Sequence, residues 1–120
     1  MATYDVEARI DITETTTKSK LYGRLDEDVA KGESTVYDPY TVPTLSSDLA
    51  IPLGSVGTAA TLYLESASTD ALTFKLNGTG STAITLTNGF VLFKGATITS
   101  LHVGVAGASD IDLVVIAIEA

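Results

Sequence analysis

The stretch Ala60-Thr61-Leu62-Tyr63-Leu64-Glu65 alternates apolar and polar residues with a strict period of two. Successive side chains of a β-strand point to opposite faces, so this pattern predicts a half-buried strand with Ala60, Leu62 and Leu64 facing inward. The alternation returns in Leu72-Thr73-Phe74-Lys75-Leu76, with small and polar turn residues between the two stretches. These two segments favour an all-β fold.

Turn signals divide the chain that follows. Asn77-Gly78 and Asn88-Gly89 suit tight turns, because both residue types tolerate the positive φ that such turns require. Thr79-Gly80-Ser81 extends the first turn, which predicts a loop longer than two residues there. Two such turns in succession predict an antiparallel meander, with Ile84 and Leu86 facing inward on the strand between them.

Two later runs are apolar on both faces. Phe90-Val91-Leu92-Phe93 is expected to be covered on both sides and to end at Gly95. Leu113 to Ile118 is a β-branched run of six residues, too short for a transmembrane helix of roughly 20. It predicts a central strand that is buried on both faces or packed against another subunit.

The segment between these runs changes parity. Ile98 has the opposite parity to Leu101, Val103 and Val105, so a single strand through all four would need a bulge near Thr99-Ser100. With this strand, residues 58–120 are predicted to form about six strands.

The first half begins with another alternation. Tyr4, Val6, Ala8, Ile10 and Ile12 share one face, with charged residues opposite, which predicts a first strand. That strand either pairs within its own sheet or reaches to a neighbouring subunit as an arm. Residues 21–25 are a weaker strand candidate, and residues 26–32 are expected to form a solvated loop.

Charge divides the chain unevenly. Residues 1–50 carry ten acidic and five basic side chains, whereas residues 51–120 carry five and two. We therefore predict one β-sandwich domain over 1–120, in which 1–55 is an extended, charged leading segment and 56–120 a compact strand meander. A chain of 120 residues buries roughly two thirds of its unfolded surface, so it needs no disulfide or metal to fold.

Composition excludes several functions. The chain has no cysteine, hence no disulfide, thiolate metal site or Cys nucleophile. A net charge of −8 with scattered basic residues argues against a nucleic-acid partner. The amino terminus lacks the basic and apolar regions of a signal peptide, so synthesis in the cytoplasm without a membrane partner is expected.

Candidate chemistry is sparse. His102 is the only histidine, and no partner for acid–base work or metal binding is identifiable in the sequence. Asp110 and Asp112 share a strand face and suit calcium by type, but such a site needs six to eight oxygens, so a charged strand entry is favoured. Asp26-Glu27-Asp28 is interpreted as a solvated charge run. We expect no enzyme, no cofactor and no metal.

An alternative function rests on aromatic residues. Tyr37, Tyr40 and Tyr63 would form a stacking platform for sugars if the fold brought them together. Scattered tyrosines on β-sandwiches are more often sheet and core residues. A carbohydrate-binding module is therefore kept as an alternative.

Several segments together resemble small β-sandwich structural proteins of tailed bacteriophage virions, in particular capsid decoration (cement) proteins and related tail or head-fibre components. The resemblance covers residues 51–120 and lies in short strands, Ser/Thr/Gly/Asn turns, acidic balance and lack of cysteine. The segments that carry it are Ile51-Pro52-Leu53-Gly54, Leu62-Tyr63-Leu64, Phe74-Lys75-Leu76-Asn77-Gly78, Ile84-Thr85-Leu86 and Ile98-Thr99-Ser100-Leu101.

This resemblance implies an antiparallel, jelly-roll-like sandwich in a virion, with a homo-oligomer (a trimer favoured) bound to the major capsid protein or another virion protein. A tail or fibre component is the alternative. Segments 2–15 and 33–53 are the predicted contact regions between subunits or with the shell. The interface residues proposed in them are Tyr4, Val6, Ile10, Ile12, Tyr37, Tyr40, Leu45 and Leu49.

Overall fold

The computed structural model describes the backbone of residues 3–13 and 20–30 and the whole of residues 33–119. The chain divides into two compact units, Met1–Lys31 and Gly32–Ala120. Every described element is a β-strand, which confirms the all-β prediction. Within this described part, no helix is long and apolar enough to cross a membrane.

The first unit contains a two-stranded antiparallel sheet. Strand β1 (Thr3–Thr13) pairs with β2 (Lys20–Ala30) in unbroken register, from Thr3 opposite Ala30 to Thr13 opposite Lys20. The predicted first strand is confirmed, and it pairs within its own chain. The loop predicted over residues 26–32 is wrong for residues 26–30, which continue β2. The charged residues there indicate a polar segment but do not exclude a strand. The segment is extended because β2 pairs with β1 at eleven positions.

The second unit is a sandwich of two four-stranded antiparallel sheets. Six of its strands follow residue 58, as predicted. The eight strands are β3 (Ser34–Val42), β4 (Leu49–Ile51), β5 (Ala59–Ser66), β6 (Leu72–Leu76), β7 (Ile84–Leu86), β8 (Gly89–Ile98), β9 (Leu101–Val105) and β10 (Ile111–Glu119).

The strand order is nested. The first sheet runs β3-β10-β5-β8 and the second β4-β9-β6-β7. The first strand of the unit therefore pairs with the last (β3 with β10), the next with the next to last (β4 with β9), and so on through β5 with β8 to the hairpin of β6 and β7. The chain thus behaves as one long antiparallel ribbon folded over into two layers.

Alternating side chains fill the space between the layers. On β10, Ile111, Leu113, Val115 and Ala117 are all buried, and this strand lies between β3 and β5 as the predicted central strand. Its outward residues Val114 and Ile116 are only partly buried, so the strand is not fully covered on both faces. The prediction for β5 is confirmed at Leu62 and Leu64, both fully buried.

Residues 33–55 belong to the sandwich. They supply β3 and β4, and Val42, Ile51 and Leu53 enter the core. The compact unit therefore begins at Gly32, whereas composition placed the change at residue 55. A high density of charged residues indicates solvent exposure rather than a position outside the sandwich. β3 is an edge strand, and its outward face is in water.

The second Asn-Gly turn is not a hairpin. Asn77-Gly78 opens the long loop between β6 and β7, as predicted, but Asn88-Gly89 carries the chain from β7 in one sheet to β8 in the other. The backbone N–H of Asn88 donates to the carbonyl oxygen of Ser68 at 2.8 Å, which ties this crossover to the β5–β6 turn. The prediction of a turn at Asn88-Gly89 is confirmed, but the prediction that the next strand pairs with β7 is wrong.

Strands β8 and β9 resolve the change of parity. β8 ends at Ile98, and β9 begins at Leu101 in the other sheet, so no single strand spans these residues and no bulge at Thr99-Ser100 is needed. Residues on either side of this crossover face the same core from opposite layers. Asn77 secures the turn, because its Oδ1 accepts the backbone N–H of Thr99 at 2.7 Å.

Strand β8 also corrects two further expectations. It forms an edge of its sheet, with Phe90 57% exposed, so its apolar run is not covered on both sides. It continues through Gly95, where φ is +71° and the pairing with β5 skips residues between Lys94 and Ile98. Glycine adopts this left-handed conformation without a Cβ clash, which lets the strand kink rather than end.

Candidate functional site

The predicted interface residues of the first unit are Tyr4, Val6, Ile10 and Ile12. All four lie on β1, and their side chains fall outside the described part of the chain. Their backbone positions oppose β2 in the same chain. The Asp26-Glu27-Asp28 run lies on β2 and is likewise described only as backbone.

Tyr37 and Tyr40 lie on the inner face of β3 rather than on an open surface. They oppose the buried residues Val115 and Leu113 of β10. Their rings meet edge to face with centroids 5.1 Å apart, and both pack against the core. The Tyr37 hydroxyl donates to the Pro52 carbonyl oxygen at 2.7 Å. These two tyrosines therefore pack at the margin of the core, beside the edge strand β3.

Leu45 and Leu49 have different surroundings. Leu49 begins β4 and packs against the core. Leu45 lies in the β3–β4 loop, 76% exposed, with φ at +60°. A leucine in the left-handed region is sterically unfavourable. An exposed apolar side chain on a strained backbone is more typical of a residue that contacts a partner than of an ordinary loop residue. Of the described interface candidates, Leu45 is the one presented to solvent.

The three-tyrosine platform is not assembled. Tyr63 points to the outer face of the first sheet, whereas Tyr37 and Tyr40 face inward. Tyr63 instead stacks on Phe90 of β8, with ring centroids 5.9 Å apart and an interplanar angle of 29°. No sugar could lie across all three rings, because a sheet separates them.

An apolar row crosses the outer face of the first sheet, and we call it the outer band. Val36, Ile116, Tyr63 and Leu92 lie in register on β3, β10, β5 and β8. In a neighbouring row, Phe90 opposes Glu65 of β5. Val36 is 60% exposed and Phe90 57%, so both ends of this surface carry large apolar side chains in water. Contiguous apolar surface of this kind marks protein contacts more often than chemistry.

Tyr63 has an altered acidity. Desolvation by burial, together with a hydrogen bond to and the charge of Glu65, raises its pKa to about 12. The phenol hydroxyl donates to Glu65 Oε1 at 2.7 Å. A phenol held neutral in this way is a structural donor, not a base at neutral pH.

The outer face of the second sheet is polar. Ala50, His102 and Lys75 lie side by side on β4, β9 and β6. Nδ1 of His102 is buried and has no hydrogen-bond partner among the described residues. Its cross-strand neighbours are Ala50 and Lys75, and Lys75 pairs with Asp48 at 3.0 Å, so no carboxylate of the described residues bonds to this Nδ1 to orient the imidazole for acid–base work.

An open groove of about 500 Å³ lies beside Lys75. Loop residues 45–48 form one wall, and residues of β6 and β9 form the floor. The Lys75–Asp48 ion pair is its only pair of opposite charges among the lining residues. The groove has no aromatic side chain and no nucleophile with a base beside it.

Asp110 and Asp112 hold the ends of strands rather than converge on one point. Asp110 Oδ1 accepts the backbone N–H of Thr44 at 2.7 Å, and Asp112 Oδ1 accepts the Thr41 hydroxyl at 2.8 Å. Both contacts join β10 to the end of β3 or to the loop after it. Within the described residues, no three His, Cys, Asp or Glu side chains come close enough to hold a metal ion.

Comparison of the chain with protein-family models, with curated proteins and with solved structures gives no match. Residue roles therefore have to come from the geometry of this chain.

Sequence reasoning missed residues of the outer band and Phe90 in the row beside it. Val36, Phe90 and Leu92 were not proposed as contact residues, although the run from Phe90 to Phe93 was recognised as apolar on both faces. That run was interpreted as covered because its position at a sheet edge depends on pairing with β5, far from it in sequence. No local signal in the sequence separates an apolar run at an exposed edge from one that is covered on both faces.

Proposed function

We propose that this chain is a non-enzymatic structural protein of a virus particle, a decoration protein that stabilises a tailed-phage capsid through repeated protein–protein contacts. The sandwich is, on this proposal, a jelly roll. The nested pairing of β3 with β10, β4 with β9, β5 with β8 and β6 with β7 supports it, since rolling one antiparallel ribbon into two layers gives that architecture.

Jelly rolls serve in viral capsids, in lectins and in cupins. What favours the first class here is the kind of surface that is exposed. Phe90, Val36 and Leu45 present apolar side chains to water, and the first sheet ends in the long edge strand β8. Such features bind other proteins through burial of apolar area and through backbone pairing.

Decoration would act through multivalency. A symmetric homo-oligomer, a trimer on the resemblance, would present several copies of each contact to the major capsid protein. Once one contact forms, the others become intramolecular and gain a high effective concentration. The net charge of −8 would keep the free protein soluble before it binds.

The decisive test is whether the protein is a component of particles. Mass spectrometry of purified virions, from the phage whose genome encodes the chain, should detect it in many copies per particle. Immunogold labelling should place it on the head shell. Labelling confined to the tail or fibres would transfer the proposal to the tail or fibre alternative. Absence from purified virions would overturn both.

A second test addresses the amino-terminal segment. Deleting residues 2–15 should abolish binding to shells that lack the protein, while the thermal transition of the sandwich stays unchanged. The matched control is the Gly57→Ala variant, which keeps the whole segment and adds a Cβ where nothing lies within 4 Å. If the truncated protein binds shells as well as the intact chain does, the segment has no role in shell contact.

A further inference from the structure

The four edges of the sandwich are not equally protected. Natural sheets keep their edges from pairing with other chains by shortness, proline, bulges or charge. β4 and β7 have only three residues each. β3 contains Pro39, and its register with β10 shifts between Leu113 and Val115. Proline cannot donate to a ladder, and a bulge interrupts it, so three of the four edges are blocked.

Strand β8 lacks most of these devices. Its residues Gly89–Lys94 pair with β5 in six consecutive positions without a shift, and no other described strand pairs with its far side. Six extended residues present an edge of roughly 20 Å. The segment has no proline, and its single charge is Lys94 at the last position before the kink at Gly95.

The side chains beside this edge are apolar. Phe90 is 57% exposed although it stacks on Tyr63, and Leu92 continues the outer band to the end of the sheet. A strand in a hairpin or at a blocked edge does not need two large outward apolar residues. An added strand would place its own side chains against both.

We propose that two copies of the chain pair through their β8 edges, antiparallel about a two-fold axis, so that the first sheets of both copies form one continuous eight-stranded sheet. This inference does not depend on a role in virions. Antiparallel pairing of identical edges is self-complementary, because each copy offers the other the same donors and acceptors.

Charge favours a second copy at this edge over the rest of the surface. Residues 33–119 contain eight acidic and two basic side chains, so most faces of two copies repel each other. β8 carries no acidic residue and one of the two lysines. Pairing here brings together the least acidic part of the sandwich.

One register also places Lys94 beside favourable groups of the second copy. If Leu92 opposes Leu92 of the second copy, Lys94 of each copy lies across from Phe90 of the other, one strand away from Glu65. The ammonium group then approaches an aromatic ring and a carboxylate together. The two-fold axis passes through the Leu92 pair, which lies at the centre of the contact. The contact between Lys94 and Phe90 therefore forms twice.

Sedimentation equilibrium over micromolar concentrations tests the proposal with two matched variants. The chain of 12.5 kDa should associate to about 25 kDa, or to an even multiple of one chain in a larger closed assembly. Phe90→Glu should weaken association roughly 30-fold or more, since a central apolar contact is replaced by a charge. Ile84→Glu changes a residue of similar exposure (45%) on the other sheet and should leave association unchanged.

Cross-linking provides a readout that does not depend on a disruptive variant. The chain contains no cysteine, so Leu92→Cys introduces a single thiol. A short bismaleimide should join two copies efficiently through that position. Val36→Cys, on the same face but at the opposite edge, should not cross-link.

Three results would overturn the proposal. The first is a wild-type chain that stays monomeric at 100 µM, and the second is an oligomer with an odd number of copies, such as a trimer, or one whose mass is unaffected by Phe90→Glu. The third is equal cross-linking through Val36→Cys and Leu92→Cys. If Phe90→Glu fails to fold by circular dichroism, the cross-linking comparison alone decides.

Discussion

The two sheets of the sandwich have equivalent inner faces and different outer faces. Inside, both contribute fully buried aliphatic and aromatic side chains, such as Leu62 from β5 and Leu72 from β6. Outside, the first sheet carries the apolar outer band, whereas the second carries His102, Lys75 and hydroxyl groups. The edge strands of the first sheet are also longer, at nine and ten residues, than those of the second sheet, which have three residues each.

This difference separates folding from function. Inner faces are constrained to fill one space at close packing, which leaves little freedom for other roles. Outer faces contribute less to stability, so an apolar outer face needs a reason other than folding. The first sheet is therefore where contacts with other chains are expected, and the second is expected to remain in solvent.

The largest effect should be the same on both inner faces. Leu62→Ala in the first sheet and Leu72→Ala in the second each remove a side chain that is 0% exposed. Each should lower the free energy of unfolding by about 2–5 kcal/mol, from lost burial and a residual cavity. Urea unfolding measures this, with the exposed Thr73→Ala as control. A loss below about 1 kcal/mol at either leucine would contradict the equivalence of the two sheets.

The second sheet should be sensitive at one outward position. A Cβ at Gly104 would lie 3.0 Å from Thr73 Oγ1 and 3.2 Å from the Ser46 carbonyl oxygen, whereas a Cβ at Gly57 would meet nothing within 4 Å. Gly104→Ala should therefore cost about 1–3 kcal/mol through forced displacement of the β3–β4 loop. Gly57→Ala should stay within about 0.5 kcal/mol, and similar losses at both glycines would argue against close packing of that loop.

The first sheet should show a dependence on alkaline pH. Because the pKa of Tyr63 is raised to about 12, folding favours its neutral phenol. This contribution to stability is complete below the ordinary tyrosine pKa near 10 and is lost as pH rises through about 12. Thermal unfolding between pH 9 and 12 should show less pH dependence in Tyr63→Phe than in the wild type.

Glu65→Gln refines that prediction. It removes the charge and the carboxylate acceptor that help to raise the Tyr63 pKa, so tyrosinate absorbance should show one tyrosine ionising at lower pH than in the wild type. Burial remains in this variant, so its pKa should stay above the ordinary value. An unchanged titration would show that Glu65 has no part in the shift.

The smallest effect concerns the loop between the sheets. Leu45 adopts φ +60° while 76% exposed, so Leu45→Asn should raise the free energy of unfolding by up to about 1 kcal/mol, because asparagine tolerates this conformation. Leu45→Ala keeps the steric conflict and should bring no gain. If both variants behave alike in urea unfolding, backbone strain at Leu45 is not the cause.

Local patterns predicted the strands better than the surfaces. The period of two identified β1, β5 and β6 and assigned Leu62 and Leu64 to the core, and the continuous apolar run from Leu113 to Ile118 identified β10. Of the proposed contact residues, Leu45 is exposed, whereas Tyr37, Tyr40 and Leu49 pack against the core. An apolar residue in an irregular stretch has the same sequence signature whether it anchors a loop or meets a partner.

Alternation is a local property of an extended backbone, so the residues alone predict that this chain is all-β, where most strands run and which of their faces is apolar. Which strands pair depends on the folded chain. The fold sends Asn88-Gly89 and Thr99-Ser100 across between the layers and places β8 at an edge. Pairing joins residues far apart in sequence, such as β3 with β10, and no local pattern carries that information. The open edge and the outer band exist only once that pairing is complete.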